Sequence, residues 1–282
     1  MNPNNPLKQY FRQPAIYVRL PSQGNFYPEG SIEMPVTNEL PVYPMTAIDE
    51  ITYRTPDALF NGQAVVNVIQ SCVPNIKNGW NIPTTDVDTL LIAIRISSYG
   101  HEMEFSTQCP ACNNVTDNVL DLRTVLDTIK SPDYNQSLNH GDIEIYFKPL
   151  SYKNLNDNNQ LQYEGQKMLQ MLPTDDDSQE VNNAKVAALG DALKKLTEIT
   201  VQTLAQSVAV IRTPTAIVNQ TEFISEFFTN CDRELFNQIR DHIIEIKKGT
   251  EIQPVHLKCP DCGNEYDQPM TLDMTSFFGV AS

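Results

Sequence analysis

The sequence has no apolar run approaching the ~20 residues that a membrane-spanning helix needs. It opens Met1-Asn2-Pro3-Asn4-Asn5-Pro6, without the charged start and apolar stretch of a secretory signal. A membrane-bound or secreted protein is therefore not expected. Basic residues are scarce: 20 Lys and Arg face 35 Asp and Glu, for a formal net charge of −15, and there is no Lys/Arg run. Phosphate backbones need a basic surface, so nucleic acid is not expected as the main partner. There are 4 histidines, and none begins the H-x-E of a zinc deaminase. Neither a nucleophile–base pair nor a glycine-rich phosphate loop stands out. Cysteine is sparse too. Six in 282 residues suit a reducing compartment better than a disulfide scaffold.

Four of those six cysteines carry the strongest pattern in the chain. Cys109-Pro110-Ala111-Cys112 and Cys259-Pro260-Asp261-Cys262 are two copies of a C-P-x-C turn, each following a short strand-like segment. Two such knuckles supply the four thiolates of a closed, tetrahedral structural zinc site. The intervening 146 residues far exceed the roughly 15–20 of an ordinary ribbon. The reading is one zinc ribbon, holding a structural Zn2+ at Cys109, Cys112, Cys259 and Cys262, with a helical segment inserted between its halves. The alternatives are unliganded buried thiols and a redox pair, but a redox C-x-x-C belongs at a strand-to-helix turn. A catalytic zinc needs an open fourth position, which four thiolates close. His256, three residues before Cys259, could replace a thiolate but reads better as a solvent-facing strand residue. Cys72 and Cys231 read as small buried apolar groups.

The rest of the chain divides around the knuckles. Residues 1–45 are proline-rich and read as an extended arm with short edge strands at 15–20 and 40–43, which either wraps its own domain or reaches a neighbour. Residues 46–100 read as a domain of short helices. Thr46 caps the first, Thr55-Pro56 opens another, and Thr84 or Thr85 caps a helix whose Val87, Leu90, Leu91 and Ile94 form one buried stripe before Tyr99-Gly100. The split ribbon is 101–150 and 250–282, with 142–148 as a strand that could extend its sheet. Residues 151–249 read as a helical hairpin or small bundle. In it a long helix from about 180 to 211 carries Val186, Leu189, Leu193 and Leu196, then Val201, Leu204, Val208 and Ile211; Asp232 caps the last helix. The triplet Asp175-Asp176-Asp177 reads as a solvated loop, since the EF-hand pattern is absent. After the second knuckle a strand is expected at 270–274. An apolar tail, Phe277-Phe278-Gly279-Val280, follows; it either packs on the ribbon or docks on another subunit. The fold class is α+β, mostly helical, with a small zinc-ribbon-like β element.

Several stretches together carry a resemblance. They are Leu20-Pro21-Ser22 with Gly24 and Tyr27, Met45-Thr46 with Asp49-Glu50, Asn61-Gly62 before a helix ending near Cys72, Leu90-Leu91, Arg95, Ser98-Tyr99-Gly100 and the first knuckle. In this order the chain resembles the baseplate hub subunit and hub assembly family of T-even-type, contractile-tailed bacteriophages. The likeness is clearest over 18–122, returns at 255–278, and is faint in the insert. It implies a non-enzymatic structural or assembly role in a tail baseplate hub, with other hub and tail proteins as partners. The location it implies is the virion tail, or the host cytoplasm during assembly. A zinc-ribbon adaptor that binds other proteins is the alternative from the residues alone, with a metal-dependent enzyme behind it.

Overall fold

The computed structural model describes residues 5–54, 62–170, 179–270 and 277–278, with the side chains of 168–170 and 179–188 left aside. The helix expected to open at Thr55-Pro56, most of the strand at 270–274, the acidic triplet and Gly279-Val280 lie outside the described residues. The architecture is α+β, with eight helices and ten short strands among the described residues. The chain folds as two compact units, one of residues 1–132 and 249–282, the other of 133–248. No described helix is long and apolar enough to cross a membrane.

In the first unit, β1 (Ile16–Val18) pairs antiparallel with β2 (Leu40–Val42), and Val18, Leu20, Leu40 and Val42 are buried. The N-terminal segment thus packs on its own unit. Helix α1 (Ala47–Tyr53) starts at the Thr46 cap: the Asp49 N–H donates to Thr46 Oγ1, and the Thr46 N–H donates back to Asp49 Oδ2 at 2.7 Å. This reciprocal box satisfies two orphan donors of the first turn. Arg12 fastens the N-terminal segment to the same place, donating to the Pro44 carbonyl, to Asp49 and to Ser71. Helix α2 (Gln63–Cys72) follows, starting after Gly62 at φ 72°.

Helix α3 (Thr84–Tyr99) is the centre of this unit. Thr89, Leu90, Leu91, Ile92, Ala93, Ile94 and Arg95 are all buried in succession. The sequence gives α3 one apolar stripe; the structure buries it all round, because β1, β2, α2 and α4 (Leu122–Thr128) pack against it. A helix covered on every side belongs to a core. Pro83, rather than Thr84 or Thr85, occupies the cap position, and no side chain caps the helix.

Asp86 on α3 is wholly buried. It accepts from the Ser22 N–H at 2.8 Å, the Ser22 hydroxyl at 2.5 Å and the Tyr27 hydroxyl at 3.0 Å. These bonds tie the loop after β1 to the core helix. They also place Ser22 and Tyr27, two residues of the family-like pattern, in one polar cluster. Burial drives the Asp86 carboxyl up to about 6, against the pull of its Ser22 and Tyr27 donors. Tyr27 is pushed up as well, first by burial and then by the Asp86 charge.

Two β-hairpins complete the unit. One joins β3 (Glu102–Gln108) to β4 (Val115–Asp121). The other pairs β9 (Val255–Lys258) with β10 (Glu265–Gln268). The Lys130 N–H donates to the Gly249 carbonyl at 2.8 Å, so the chain leaves this unit and re-enters it at one point.

The second unit is built on an antiparallel sheet of order β5-β6-β7-β8: Leu138–His140, Ile143–Phe147, Val208–Arg212 and Ile217–Val218. The strand expected at 142–148 therefore belongs here, beside β7, and not to the hairpins of the first unit. The long helix expected to reach Ile211 ends at Gln206, and Val208, Val210 and Ile211 form β7. Val208 and Ile211 are buried in the strand; β-branched residues favour the pleated surface, and β6 supplies the pairing partner. Helices α5 (Tyr152–Gln170) and α6 (Gln179–Gln206) form a hairpin. Helices α7 (Thr221–Asn230) and α8 (Arg233–Lys247) follow, the latter capped by Asp232. The core gathers Ile145, Phe147, Leu204, Ile224, Phe228 and Ile239. Leu189 and Leu193, part of the apolar repeat of the long helix, are exposed.

Asp86 generates a test. Its pKa is higher in the folded chain than the ordinary 3.8, at about 6. Its contribution to stability is thus fully present below pH 3.8 and is lost as pH rises through about 6. Asp86→Asn keeps an acceptor for Ser22 and removes the titration, so its melting temperature should gain on wild type across that window. Asp86→Ala strands the Ser22 and Tyr27 donors and should cost about 1–3 kcal/mol by urea denaturation at pH 7. A wild-type and Asn variant with parallel pH profiles would contradict this account.

Candidate metal centre

Each knuckle is the tip of a hairpin, and the two tips are built alike. The Cys109 N–H donates to the Asn114 carbonyl at 2.9 Å, and the Asn113 N–H to the Cys109 carbonyl at 2.9 Å. In the other tip, the Cys259 N–H donates to the Asn264 carbonyl at 2.8 Å, and the Gly263 N–H to the Cys259 carbonyl at 3.0 Å. Both turns reverse through a left-handed residue, Asn113 at φ 59° and Gly263 at φ 72°. Asparagine and glycine are the residues that tolerate this region best. The repeat is thus longer than C-P-x-C: it is cysteine, proline, any residue, cysteine, a left-handed residue, then asparagine.

The structure brings the four sulfurs together, all within 4.8 Å of one another. Across the tips, Cys109 Sγ lies 3.7 Å from Cys262 Sγ, and Cys112 Sγ 3.6 Å from Cys259 Sγ. Bonded sulfurs stand roughly 2.05 Å apart, so all four thiols are free. Cys109 and Cys259 are buried, whereas Cys112 and Cys262 are exposed. The cluster is electrostatically unbalanced by itself. The Cys112 N–H, followed by that of Ala111, stabilises a Cys109 thiolate and lowers its pKa to about 6. At Cys112 the Asn114 N–H also pulls down, but hydrogen bonding among the four sulfurs outweighs it and pushes the thiol up to about 12. Four thiolates this close repel one another, and a cation at their centre would relieve that. The group could hold a metal ion.

A second link crosses the tips. Thr107 Oγ1 on β3 and the Tyr266 hydroxyl on β10 lie 2.9 Å apart, and Asn118 Nδ2 donates to the same threonine at 3.0 Å. The sequence gives no sign of this bond, because its partners are 159 positions apart and belong to no repeated motif. His256 stays outside the cluster. It is exposed, with Nδ1 2.9 Å from Asp267 Oδ1. The other histidines are elsewhere: His140 Nδ1 faces Gln238, and the His242 ring packs on Phe147. Cys72 is buried beside Arg12, and burial pushes its thiol up to about 12. Cys231 is half-buried, its thiol directed at the Phe228 carbonyl.

Of the tail, Phe277 and Phe278 are the described residues. Phe277 and Phe278 are buried, and both are hydrogen-bonded to side chains of α1 and α3. Arg95 Nε donates to the Phe277 carbonyl at 3.0 Å, and the Tyr53 hydroxyl donates to the Phe278 carbonyl at 2.5 Å. Arg95 is buried, with its guanidinium over the Tyr99 ring at 4.7 Å.

The link between Thr107 and Tyr266 can be measured by a double-mutant cycle of Thr107→Val and Tyr266→Phe. The expected coupling is about 0.5–1.5 kcal/mol in urea unfolding. Additive effects would show that the two hairpins do not meet there in solution.

A protein-family model described as T4 bacteriophage base plate protein matches residues 45–279. The match runs from the α1 cap past Phe278, so it takes in both knuckles and also the insert, where the sequence pattern alone is faint. No curated protein and no solved structure matches the chain. On this match, with its span over most of both folded units, the chain belongs to the T4 bacteriophage base plate protein family.

Proposed function

We propose that this protein is a structural component or assembly factor of the baseplate hub, held in shape by one structural zinc ion. The family match supports a baseplate role. The convergence of four sulfurs from two hairpins is the observation that carries the metal reading. An ideal tetrahedron with Zn–S bonds of roughly 2.3 Å has sulfurs about 3.8 Å apart, and the two distances across the tips are 3.6 and 3.7 Å. An all-thiolate donor set suits zinc and leaves no position for an activated water. The role is therefore read as non-enzymatic. Cys109, Cys112, Cys259 and Cys262 would hold the ion, and at Cys109 backbone N–H donors favour the thiolate that it requires.

The staple has a definite mechanical consequence. The second unit is an insertion in the first, and the two knuckles lie on either side of it in the chain. A metal shared by both tips closes that long loop within the first unit, whose chain exits and returns at the Lys130–Gly249 bond. Folding of the first unit then depends on metal, because the unfolded chain holds no preformed site. Partners on this reading are other hub and tail proteins, and the location is the virion tail or the infected cell during assembly.

Two measurements test the reading. A strong chelator, or Cys259→Ser, should remove the metal and lower the melting temperature of the first unit; unchanged melting after metal loss would contradict the staple. Peptide mass spectrometry on purified tails should find the chain at a small fixed ratio to a known tail protein if it is a component. If it is an assembly factor, it should be abundant in the infected-cell lysate and absent from finished tails. Absence from both would overturn the hub role.

A further inference from the structure

The four clustered sulfurs also form two oxidation pairs. Cys109 Sγ stands 3.7 Å from Cys262 Sγ, and Cys112 Sγ 3.6 Å from Cys259 Sγ, both across the tips. A disulfide bond is about 2.05 Å long. Shared between two partners, the remaining gap is about 0.8 Å of travel per sulfur. Each pair also unites unlike thiols. Cys262 and Cys112 are exposed, whereas their partners Cys109 and Cys259 are buried. An exposed thiolate meets an oxidant in solvent, and a second thiol beside it resolves the product before oxidation goes further.

We infer that peroxide oxidises this cluster to two disulfides, Cys109–Cys262 and Cys112–Cys259, which take over the closure of the hairpins from the metal. The inference rests on the zinc reading for the state it starts from. Cys112 Sγ attacks one oxygen of hydrogen peroxide. An S–O bond forms as the O–O bond breaks, and the hydroxide that leaves takes a proton and becomes water. Cys259 Sγ then attacks the Cys112 sulfur. The S–S bond forms as the S–O bond breaks, and the second hydroxide leaves as water in the same way. Two thiolates lose two electrons, one peroxide gains them, and two protons come from solvent. Cys262 and Cys109 repeat the sequence with a second peroxide, after which no thiolate is left to hold a cation.

Both bonds cross from one hairpin to the other. They join residues 153 and 147 positions apart, so they close the same long loop that a shared metal would close. Pairing inside a knuckle would release the tips from each other instead. Thr107 Oγ1 and the Tyr266 hydroxyl, 2.9 Å apart, hold β3 and β10 together while the sulfurs change partners. Thiols persist in a reducing cytoplasm and disulfides in an oxidising medium. A tail protein assembled in the cell and released in a virion passes from the first to the second.

Full-length zinc-loaded chain, freed of reductant and treated with hydrogen peroxide, tests this. Peptide mass spectrometry after non-reducing digestion should find Cys109 linked to Cys262 and Cys112 linked to Cys259. The links should appear in step with the release of one zinc ion per chain to a chromogenic chelator. In excess chelator the oxidised chain should melt above the reduced chain, and dithiothreitol should abolish the difference. Links within a knuckle, links between chains, or sulfinic and sulfonic acids in place of disulfides would overturn the inference. So would an oxidised chain that melts no higher than the reduced one in chelator. Absence of zinc from the untreated chain would overturn the staple reading alone, because the same links can be mapped on metal-free chain.

Discussion

Four sulfurs can share a space of 4.8 Å only if the hairpins that carry them meet, and these hairpins are separated by the whole second unit. That meeting constrains everything between them. The chain must leave the first unit after α4 and return before β9 at nearly the same point, as the bond between Lys130 and Gly249 shows. The inserted unit must accordingly be self-sufficient, with its own sheet and core, and it is. The knuckle turns serve the same end. A left-handed residue followed by an asparagine in each tip aims both cysteines of a pair into the cluster, and the bond between Thr107 and Tyr266 joins the hairpins beside it.

Away from the cluster, the first unit is organised by what surrounds α3. The N-terminal segment covers one side of that helix and is fixed by polar contacts at two carboxylates. Asp86 holds Ser22 and Tyr27, and Asp49 gathers Thr46, Ser71 and Arg12. Near the end of the helix, Arg95 holds the tail. The loop at Ser22 and Tyr27 and the tail, distant in sequence, therefore converge on one helix through buried polar groups. Such groups are costly unless paired, and specific when they are. Ser22, Tyr27, Thr46, Asp49 and Arg95, all in the family-like pattern, take part in these hydrogen bonds.

The knuckles were legible because they repeat. Identical spacing, with proline in the same slot, pointed to one shared cluster, and the hairpins follow from the strand-like text around it. Capping at Thr46 and Asp232 was legible because the cap is local. What escaped was non-local. Val208 and Ile211 suit a helix stripe and a strand equally, and only pairing with β6 decides between them. The single stripe of α3 gave no sign that its other faces are also covered. Leu189 and Leu193 fit a buried periodicity but lie on an exposed face of a two-helix hairpin. Phe277-Phe278 reads as an apolar tail, yet no local signal joins Phe277 to Arg95, 182 positions away.

The central claim is that one metal ion closes both knuckles of a single chain. X-ray absorption at the zinc edge on the purified protein, with metal counted per chain, tests it most directly. The account predicts one zinc per chain with four sulfur neighbours at roughly 2.3 Å. Nitrogen or oxygen ligands in the first shell, half an ion per chain, or no bound zinc in the folded protein would contradict it.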